Sequence, residues 1–319
     1  MGRMSLSESF WKDQRVVVTG GAGFLGSYVT ERLTSLGTSE VFAPSSRDFD
    51  LVRDEDVRRL YRESKPTLVI HLAAVVGGIG ANQQNPGEFF YKNLLMGAQM
   101  MEQGRVAELQ KFVAVGTVCS YPKHTPVPFR EEDFWNGYPE ETNAPYGLAK
   151  KMLVVQSEAY RAQYGFNSIN LILANLYGPR DNFDPDRSHV IPALIRKCVE
   201  AKRAGAAEIE VWGSGRATRE FLYVEDAAEA VLLGAERYDR SDPINVGSGS
   251  ETSIKDLVEL IKCATGYPGA VRWDPRKPDG QPRRSLGTSK AARALGFRAQ
   301  TPLAVGLRRM VEWYLGQGG

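Results

Sequence analysis

Short apolar runs separated by longer amphipathic stretches fill the first half of the chain. Arg15–Thr19 (RVVVT), Glu40–Ala43, Thr67–His71 (TLVIH), Lys111–Val115 (KFVAV) and Ser168–Ala174 (SINLILA) each read as a short buried strand. Helical patterns lie between them. One runs through Val29, Leu33 and Leu36, and another begins at Asp54, Glu55 and Asp56, where acids suit the helix dipole. A long one opens at Pro86, and a fourth covers Tyr146–Tyr164. Strands alternating with helices predict a parallel sheet wound on both faces. Such strands are covered on both sides, so their apolar runs are continuous. After Tyr177 the texture changes. A polar loop, Gly178–Ser188, precedes short strands at Glu208–Val211, Glu220–Val224, Pro243–Val246 and Ala270–Trp273. Ser253 caps a helix, with Asp256 three residues on and Leu257, Leu260 and Ile261 on its buried face.

Composition narrows what such an α/β protein does. Of 319 residues, 42% are hydrophobic and 24% charged, ordinary globular values that exclude a disordered or fibrous chain. No apolar run reaches the ~18 residues of a membrane helix, so no membrane partner is expected. The first 14 residues lack the apolar stretch of a signal peptide, and a cytoplasmic location is expected. Forty basic against 38 acidic side chains leave a formal charge of +2. That balance offers no broad field for nucleic acid but allows a local basic pocket. The cysteines (Cys119, Cys198 and Cys263) are too few and scattered for a disulfide framework or a zinc site, and no metal is expected. Cys198 and Cys263 lie in helical patterns and read as core filler; His71, ending a strand, reads as structural.

The 32 glycines are unevenly placed. Gly20, Gly23 and Gly26 fall between the first strand and its helix, spaced G-x-x-G-x-x-G. A tight turn, close approach of a pyrophosphate and close helix–strand packing each favour a residue without Cβ. The helix start, with Phe24 and Leu25, then offers its unpaired N–H groups to phosphate. This predicts a Rossmann-type domain over residues 1–177 that binds a dinucleotide, with Ala73 also against the cofactor. Segments near 220–250 are expected to return to its sheet. Residues 178–319 form a smaller C-terminal α+β domain for substrate. After the second strand come Ser45, Ser46 and Arg47, where an acid would hold the ribose 2′-OH of NAD. Small hydroxyls and an arginine suit a 2′-phosphate, so NADP(H) is favoured over NAD(H). Asp50 and Leu51 are placed against the adenine.

Tyr146 and Lys150 form Y-x-x-x-K, which on a helix puts them on one face a turn apart. An ammonium beside a phenol favours the phenolate, so Lys150 is expected to lower the Tyr146 pKa. Thr117 closes the strand Lys111–Val115 nearby.

The TGGAGFLG loop, the HLAA stretch (His71–Ala74), Thr117 and the Tyr146/Lys150 pair resemble the extended short-chain dehydrogenase/reductase superfamily. Narrower motifs resemble one family within it, the GDP-L-fucose synthases, over nearly the whole chain. They are VVGGIGAN (Val75–Asn82), CSYPK (Cys119–Lys123), NAPYGLAK (Asn143–Lys150), NLYGPRDNF (Asn175–Phe183), SHVIPALIRK (Ser188–Lys197), VWGSGRATREFLYVED (Val211–Asp226) and KPDGQPRR (Lys277–Arg284). The resemblance implies an NADPH-dependent 3,5-epimerase and 4-reductase acting on GDP-4-keto-6-deoxy-D-mannose, and a homodimer. Within it, Thr117 and Tyr146 meet the substrate's carbonyl oxygen, Lys150 binds the nicotinamide ribose, and Cys119 and His189 are the acid–base pair. Arg219 matches the arginine for the diphosphate, and Lys277 and Asn175 lie in motifs for the sugar nucleotide. Trp212 either lines the guanosine pocket or packs in the core.

The match has departures. Thr117-Val118-Cys119-Ser120 stands where the family usually has Ser-Ser-Cys-Ile. Ala144 and Gly147 replace a Glu and an Ala, and Gly287 stands where Asp is usual. These leave the reaction class intact but open the sugar: a related GDP-deoxysugar or a GDP-heptose is the alternative. A 4,6-dehydratase would carry Asp-Glu after Thr117, and a non-reducing 4-epimerase would leave Cys119 and His189 idle. A protein that binds NADP without chemistry need not have kept Tyr146 and Lys150.

Overall fold

A computed structural model describes residues 6–185, 188–277 and 279–317. Helix α1 (Glu8–Lys12) leads into β1 (Arg15–Thr19), α2 (Phe24–Ser35), β2 (Glu40–Phe42), α3 (Asp54–Ser64) and β3 (Leu68–His71). Helices α4 (Ile79–Gln84) and α5 (Pro86–Val106) precede β4 (Lys111–Thr117), a 3₁₀ turn at Val118–Ser120, α6 (Ala144–Tyr164) and β5 (Ser168–Leu173). The chain continues through β6 (Asn175–Tyr177), α7 (Val190–Arg203), β7 (Glu208–Trp212), β8 (Thr218–Tyr223), α8 (Val224–Arg237) and β9 (Ile244–Val246). It ends with β10 (Glu251–Ser253), α9 (Ile254–Thr265), β11 (Ala270–Asp274), β12 (Arg283–Arg284), α10 (Ser289–Ala294) and α11 (Leu303–Gly316). Residues 186 and 187 of the polar loop before α7, and Pro278 of the KPDG motif, lie outside the described residues.

Strands β2-β1-β3-β4-β5-β9 form one sheet, parallel throughout. The chain leaves β1 on one side for β2 and returns on the other for β3. A crevice therefore opens between the C-terminal ends of β1 and β3. The continuous apolar runs are explained by burial on both faces. Val16 and Val18 of β1, with Leu68, Ile70 and Val113, pack into one core, which also holds Leu33 and Val231. Val17, Val69, Phe112 and Ala114 point the other way, against Met100 and Leu153. The side-chain period of two splits each run between the layers. The fold is α/β, a doubly wound parallel sheet.

The later segments build a second body of packing. β8 pairs antiparallel with β10 and parallel with β6 and β12, while β7 pairs with β11. Of residues 220–250, β9 joins the large sheet and β8 does not. A separate core gathers Tyr177, Ile195, Val211, Phe221, Leu257 and Ile261 beneath α7, α9 and α11. The Ser253 cap is present: its Oγ accepts from the Asp256 N–H at 3.0 Å. Cys198 is buried in this core, but Cys263 is exposed, correcting its assignment as core filler. The helical pattern around it was real, but Leu257, Val258 and Ile261 take the buried face and Cys263 falls outside it.

Candidate active site

The crevice is shaped by what its glycines allow. Gly20 has a φ of +70°, and a Cβ there would stand 2.9 Å from the Ala73 nitrogen. A Cβ on Gly26 would stand 2.0 Å from the Gly20 carbonyl oxygen. Only glycine lets the turn fold back so tightly that α2 starts against the sheet. The N-terminus of α2 thereby faces a cavity of about 1240 Å³. Gly20, Gly23, Phe24, Leu25 and Gly26 line it, followed by Ser46, Asp50, Leu51 and Ala73. Arg47 does not: it is exposed, and only its neighbour Ser46 reaches the wall. The stretch directly after β2 (Ala43, Pro44, Ser45 and Ser46) brings no carboxylate to the cavity.

Further in, β4 ends at Thr117, whose Oγ1 accepts from the Cys119 N–H at 3.2 Å and caps the 3₁₀ turn. Two of the departures hold that turn against α6. The Ser120 hydroxyl donates to the Gly147 carbonyl at 2.8 Å, and a Cβ on Gly147 would lie 2.4 Å from the Cys119 carbonyl oxygen. Gly147 is thus where the backbone of α6 touches the cysteine turn. Val118 lines the cavity, whereas Gly287 stands away from it and donates its N–H to Phe129 at 2.7 Å.

Tyr146 and Lys150 lie one turn apart on α6, and both line the cavity. Lys150 is buried, and its Nζ has no hydrogen-bond partner among the described residues; burial pulls its amine down to about 8. An unpartnered buried amine beside the glycine turn fits a ligand with hydroxyl groups, such as a ribose. The expected lowering of the Tyr146 phenol is not met. Burial pushes it up, the nearby Cys119 adds to this, and a hydrogen bond with Thr117 opposes it. Desolvation sets the direction, and the Lys150 ammonium is not among the groups that shift the phenol. The phenol is therefore held protonated at neutral pH, the form that donates a proton.

His189 is the N-cap residue of α7 and reaches the same cavity. It is exposed to the cavity's water, yet protein on either side still pulls its imidazole below the usual value through desolvation. The Val75–Asn82 motif abuts it: a Cβ on Gly78 would lie 2.9 Å from the Ser188 carbonyl oxygen. His71 is buried and outside the cavity lining, with Nδ1 bonded to the Thr19 hydroxyl at 2.9 Å.

The far end is made of side chains. Trp212 is 58% exposed and lines the cavity, so it is not a core residue. The Lys277 Nζ sits 4.8 Å from its ring centroid, outside the lining itself. Asn175 lines the cavity and donates its amide to the Glu220 carbonyl at 2.9 Å. Arg219 lines it too, but much of its fork is occupied. Nη1 donates to the carbonyls of Thr218 (2.7 Å) and Gln281 (2.6 Å), and Nη2 to that of Asp279 (3.0 Å). Burial, then the charge of Arg284, pulls it down to about 10. The Asp279 carboxylate in turn accepts from the Ser214 N–H and hydroxyl, both at 2.7 Å.

The lining residues that escaped the sequence reading include Glu140, Lys197, Asp279, Gln281 and Arg284. Of these named residues, all but Glu140 lie inside motifs already singled out, Ser188–Lys197 and Lys277–Arg284. Arg284 donates Nη1–H to the Cys119 sulfur at 3.4 Å. Among the described residues no cluster of His, Cys, Asp or Glu could hold a metal ion, and no helix is long and apolar enough to cross a membrane.

A doubly wound sheet with a glycine turn at its switch point, and a hydroxyl, phenol and amine set beside it, defines an enzyme of the extended short-chain dehydrogenase/reductase class. Residues 16–247 match the NAD dependent epimerase/dehydratase family. The probable GDP-L-fucose synthase 1 of Oryza sativa subsp. japonica is 40% identical over 305 residues, covering 95% of this chain and 93% of that one. A GDP-6-OMe-4-keto-L-xylo-heptose reductase from C. jejuni superposes with a TM-score of 0.90 at 27% identity, covering 99% and 100% of the two chains. A GDP-L-fucose synthetase from Naegleria fowleri, solved bound to NADP, gives 0.86 at 28% identity, covering 99% and 97%. The chain belongs to the NAD dependent epimerase/dehydratase family and, within it, to the GDP-L-fucose synthase family.

Proposed function

We propose that the protein is an NADPH-dependent 3,5-epimerase and 4-reductase that converts GDP-4-keto-6-deoxy-D-mannose to GDP-L-fucose. The observation that carries this is a single cavity lined by Thr117, Tyr146, Cys119 and His189 together. Epimerisation beside a carbonyl needs a proton removed from one face and another delivered to the opposite face, with the enolate oxygen held meanwhile. Thr117 and Tyr146 hold the C4 oxygen throughout. Cys119 and His189, from the β4 turn and the start of α7, move the protons at C3 and C5. When bound, the reduced nicotinamide supplies hydride to C4. Tyr146, held protonated by burial, gives its proton to the oxygen, and Lys150 steadies the phenolate left behind.

The remaining residues bind. Gly20, Gly23, Phe24, Leu25 and Gly26 take the pyrophosphate, Ser46 the 2′-phosphate, and Asp50 and Leu51 the adenine; Ala73 packs against the cofactor, while Arg47 stays outside the cavity wall. Asn175, Trp212, Arg219 and Lys277 serve the GDP-sugar. A second reading, reduction of a GDP-4-keto-heptose, is favoured by the TM-score of 0.90 to the heptose reductase. Family resemblance supports a homodimer working in the cytoplasm.

A turnover screen of GDP-4-keto sugars with NADPH and NADH, with product stereochemistry by NMR, tests this. One NADPH consumed per GDP-L-fucose is expected; turnover without net NADPH consumption overturns the reductase. Cys119→Ser and His189→Asn should each lower solvent-deuterium exchange at C3 and C5 by about 10²-fold. Tyr146→Phe should abolish reduction while NADPH still binds.

A further inference from the structure

Arg284 is 7% exposed, and nothing in the proposed chemistry requires it. Its backbone is fixed by β12, which pairs with β8 so that Arg284 lies opposite Arg219. Its side chain is aimed from both ends. Nε donates to the Gln281 Oε1 at 3.1 Å, and Gln281 is itself anchored through Nε2 to the Lys123 carbonyl at 2.7 Å. Nη1 then points at the Cys119 sulfur, 3.4 Å away. Two guanidiniums thus share one wall of the cavity, with the carboxylates of Glu140 and Asp279 close enough to offset part of their repulsion. The groups facing the sulfur are Arg284 from β12, Arg219 from β8 and Tyr146 from α6. Of these, Arg284 alone donates a hydrogen bond to it among the described residues. A guanidinium N–H binds a thiolate more strongly than a thiol, because only the thiolate carries the opposite charge.

We propose that Arg284 is the positioning residue of Cys119: its guanidinium holds the sulfur on the cavity wall and keeps it as the thiolate that takes the proton from the sugar carbon. In that step the C–H electron pair moves into the bond toward C4, the charge settles on the oxygen held by Thr117 and Tyr146, and the sulfur becomes S–H.

This rests on Cys119 being a proton-transfer group, so its first test is made without sugar. Cys198 is buried and Cys263 exposed, so a Cys263→Ser background leaves Cys119 as the reactive thiol. Alkylation of Cys119 by iodoacetamide is followed by mass spectrometry across pH in the full chain. Arg284→Gln is expected to slow it about tenfold at neutral pH and to displace its pH curve upward; Arg284→Lys, which keeps the charge, should restore most of the rate. Deuterium exchange at C3 and C5 should fall by about the same factor, with a smaller change in KM. An unchanged alkylation curve in Arg284→Gln overturns the proposal. A rise in KM alone does so too, since it would make Arg284 only a ligand for the diphosphate. If Arg284→Gln does not fold, as judged by circular dichroism and NADPH binding, Arg284→Met is read in the same way: a slowed, upward-displaced curve supports the contact, and an unchanged curve overturns it. A displaced curve without exchange into GDP-4-keto-6-deoxy-D-mannose would leave Arg284 in place and remove the assigned sugar instead.

Discussion

The two ends of the cavity are built by different means. The cofactor end is largely backbone: a turn of seven consecutive residues, Gly20–Gly26, closed on itself where the parallel sheet reverses its order. The end proposed for the sugar nucleotide is side chains brought from β7, β8, α7 and the segment 279–284, held by Arg219 and Ser214. Backbone sites are specified by the absence of atoms, and side-chain sites by networks. The first kind should fail abruptly when one atom is added. The second should weaken by degrees when one partner is removed.

The largest effect is expected at Gly26. In Gly26→Ala the new Cβ would meet the Gly20 oxygen at 2.0 Å and the Gly21 Cα at 2.7 Å, all backbone that cannot swing aside. The turn must open, and the NADPH Kd is expected to rise at least ~100-fold, about 2.7 kcal/mol, while circular dichroism stays native. Isothermal titration measures it. Unchanged affinity would mean the turn does not hold the dinucleotide, and the contrast between the two ends would collapse.

Lys150 tests the junction between them. Its amine stands at about 8 in the fold against a usual 10.5. Between those values the unfolded chain binds more protons than the native one, so wild-type stability rises with pH from about 8 to 10.5. Below about pH 8 the full cost of burying the charge is present. Lys150→Met removes it, so the variant should be more stable at neutral pH by about 3 kcal/mol. That gain should vanish by pH ~10.5. Hydride transfer should be lost at every pH. Urea unfolding at several pH values reads the first effect and NADPH oxidation the second. A variant no more stable than wild type at neutral pH would show that the amine is not desolvated.

The same division explains what was legible in the sequence. The strands were readable because both their faces are buried and leave unbroken apolar runs. The cofactor turn was readable because its constraint is local: Gly20, Gly23 and Gly26 carry it within one strand–helix junction. Cys119 and His189 emerged only through motif resemblance, since their meeting with Thr117 and Tyr146 depends on tertiary packing. Glu140 had no signal at all, and Arg284 was hidden in a run of basic residues whose sequence does not say which one turns inward. The direction of the Tyr146 shift also lay outside the sequence, because it depends on how much water the fold removes from the phenol.

The smallest effect is expected at Trp212, and it separates the two ends most cleanly. The ring is exposed, and its one described cation is Lys277 at 4.8 Å, an arrangement worth about 0.5–1 kcal/mol. Trp212→Ala should therefore raise KM for the GDP-sugar about fivefold, with Trp212→Phe close to wild type because it keeps a flat π face. The NADPH Kd should not move, since no residue of the glycine turn touches the β7–β8 segment through a described hydrogen bond. If Trp212→Ala weakens NADPH as much as the sugar nucleotide, the cavity behaves as one cooperative site and not as two ends built on different principles.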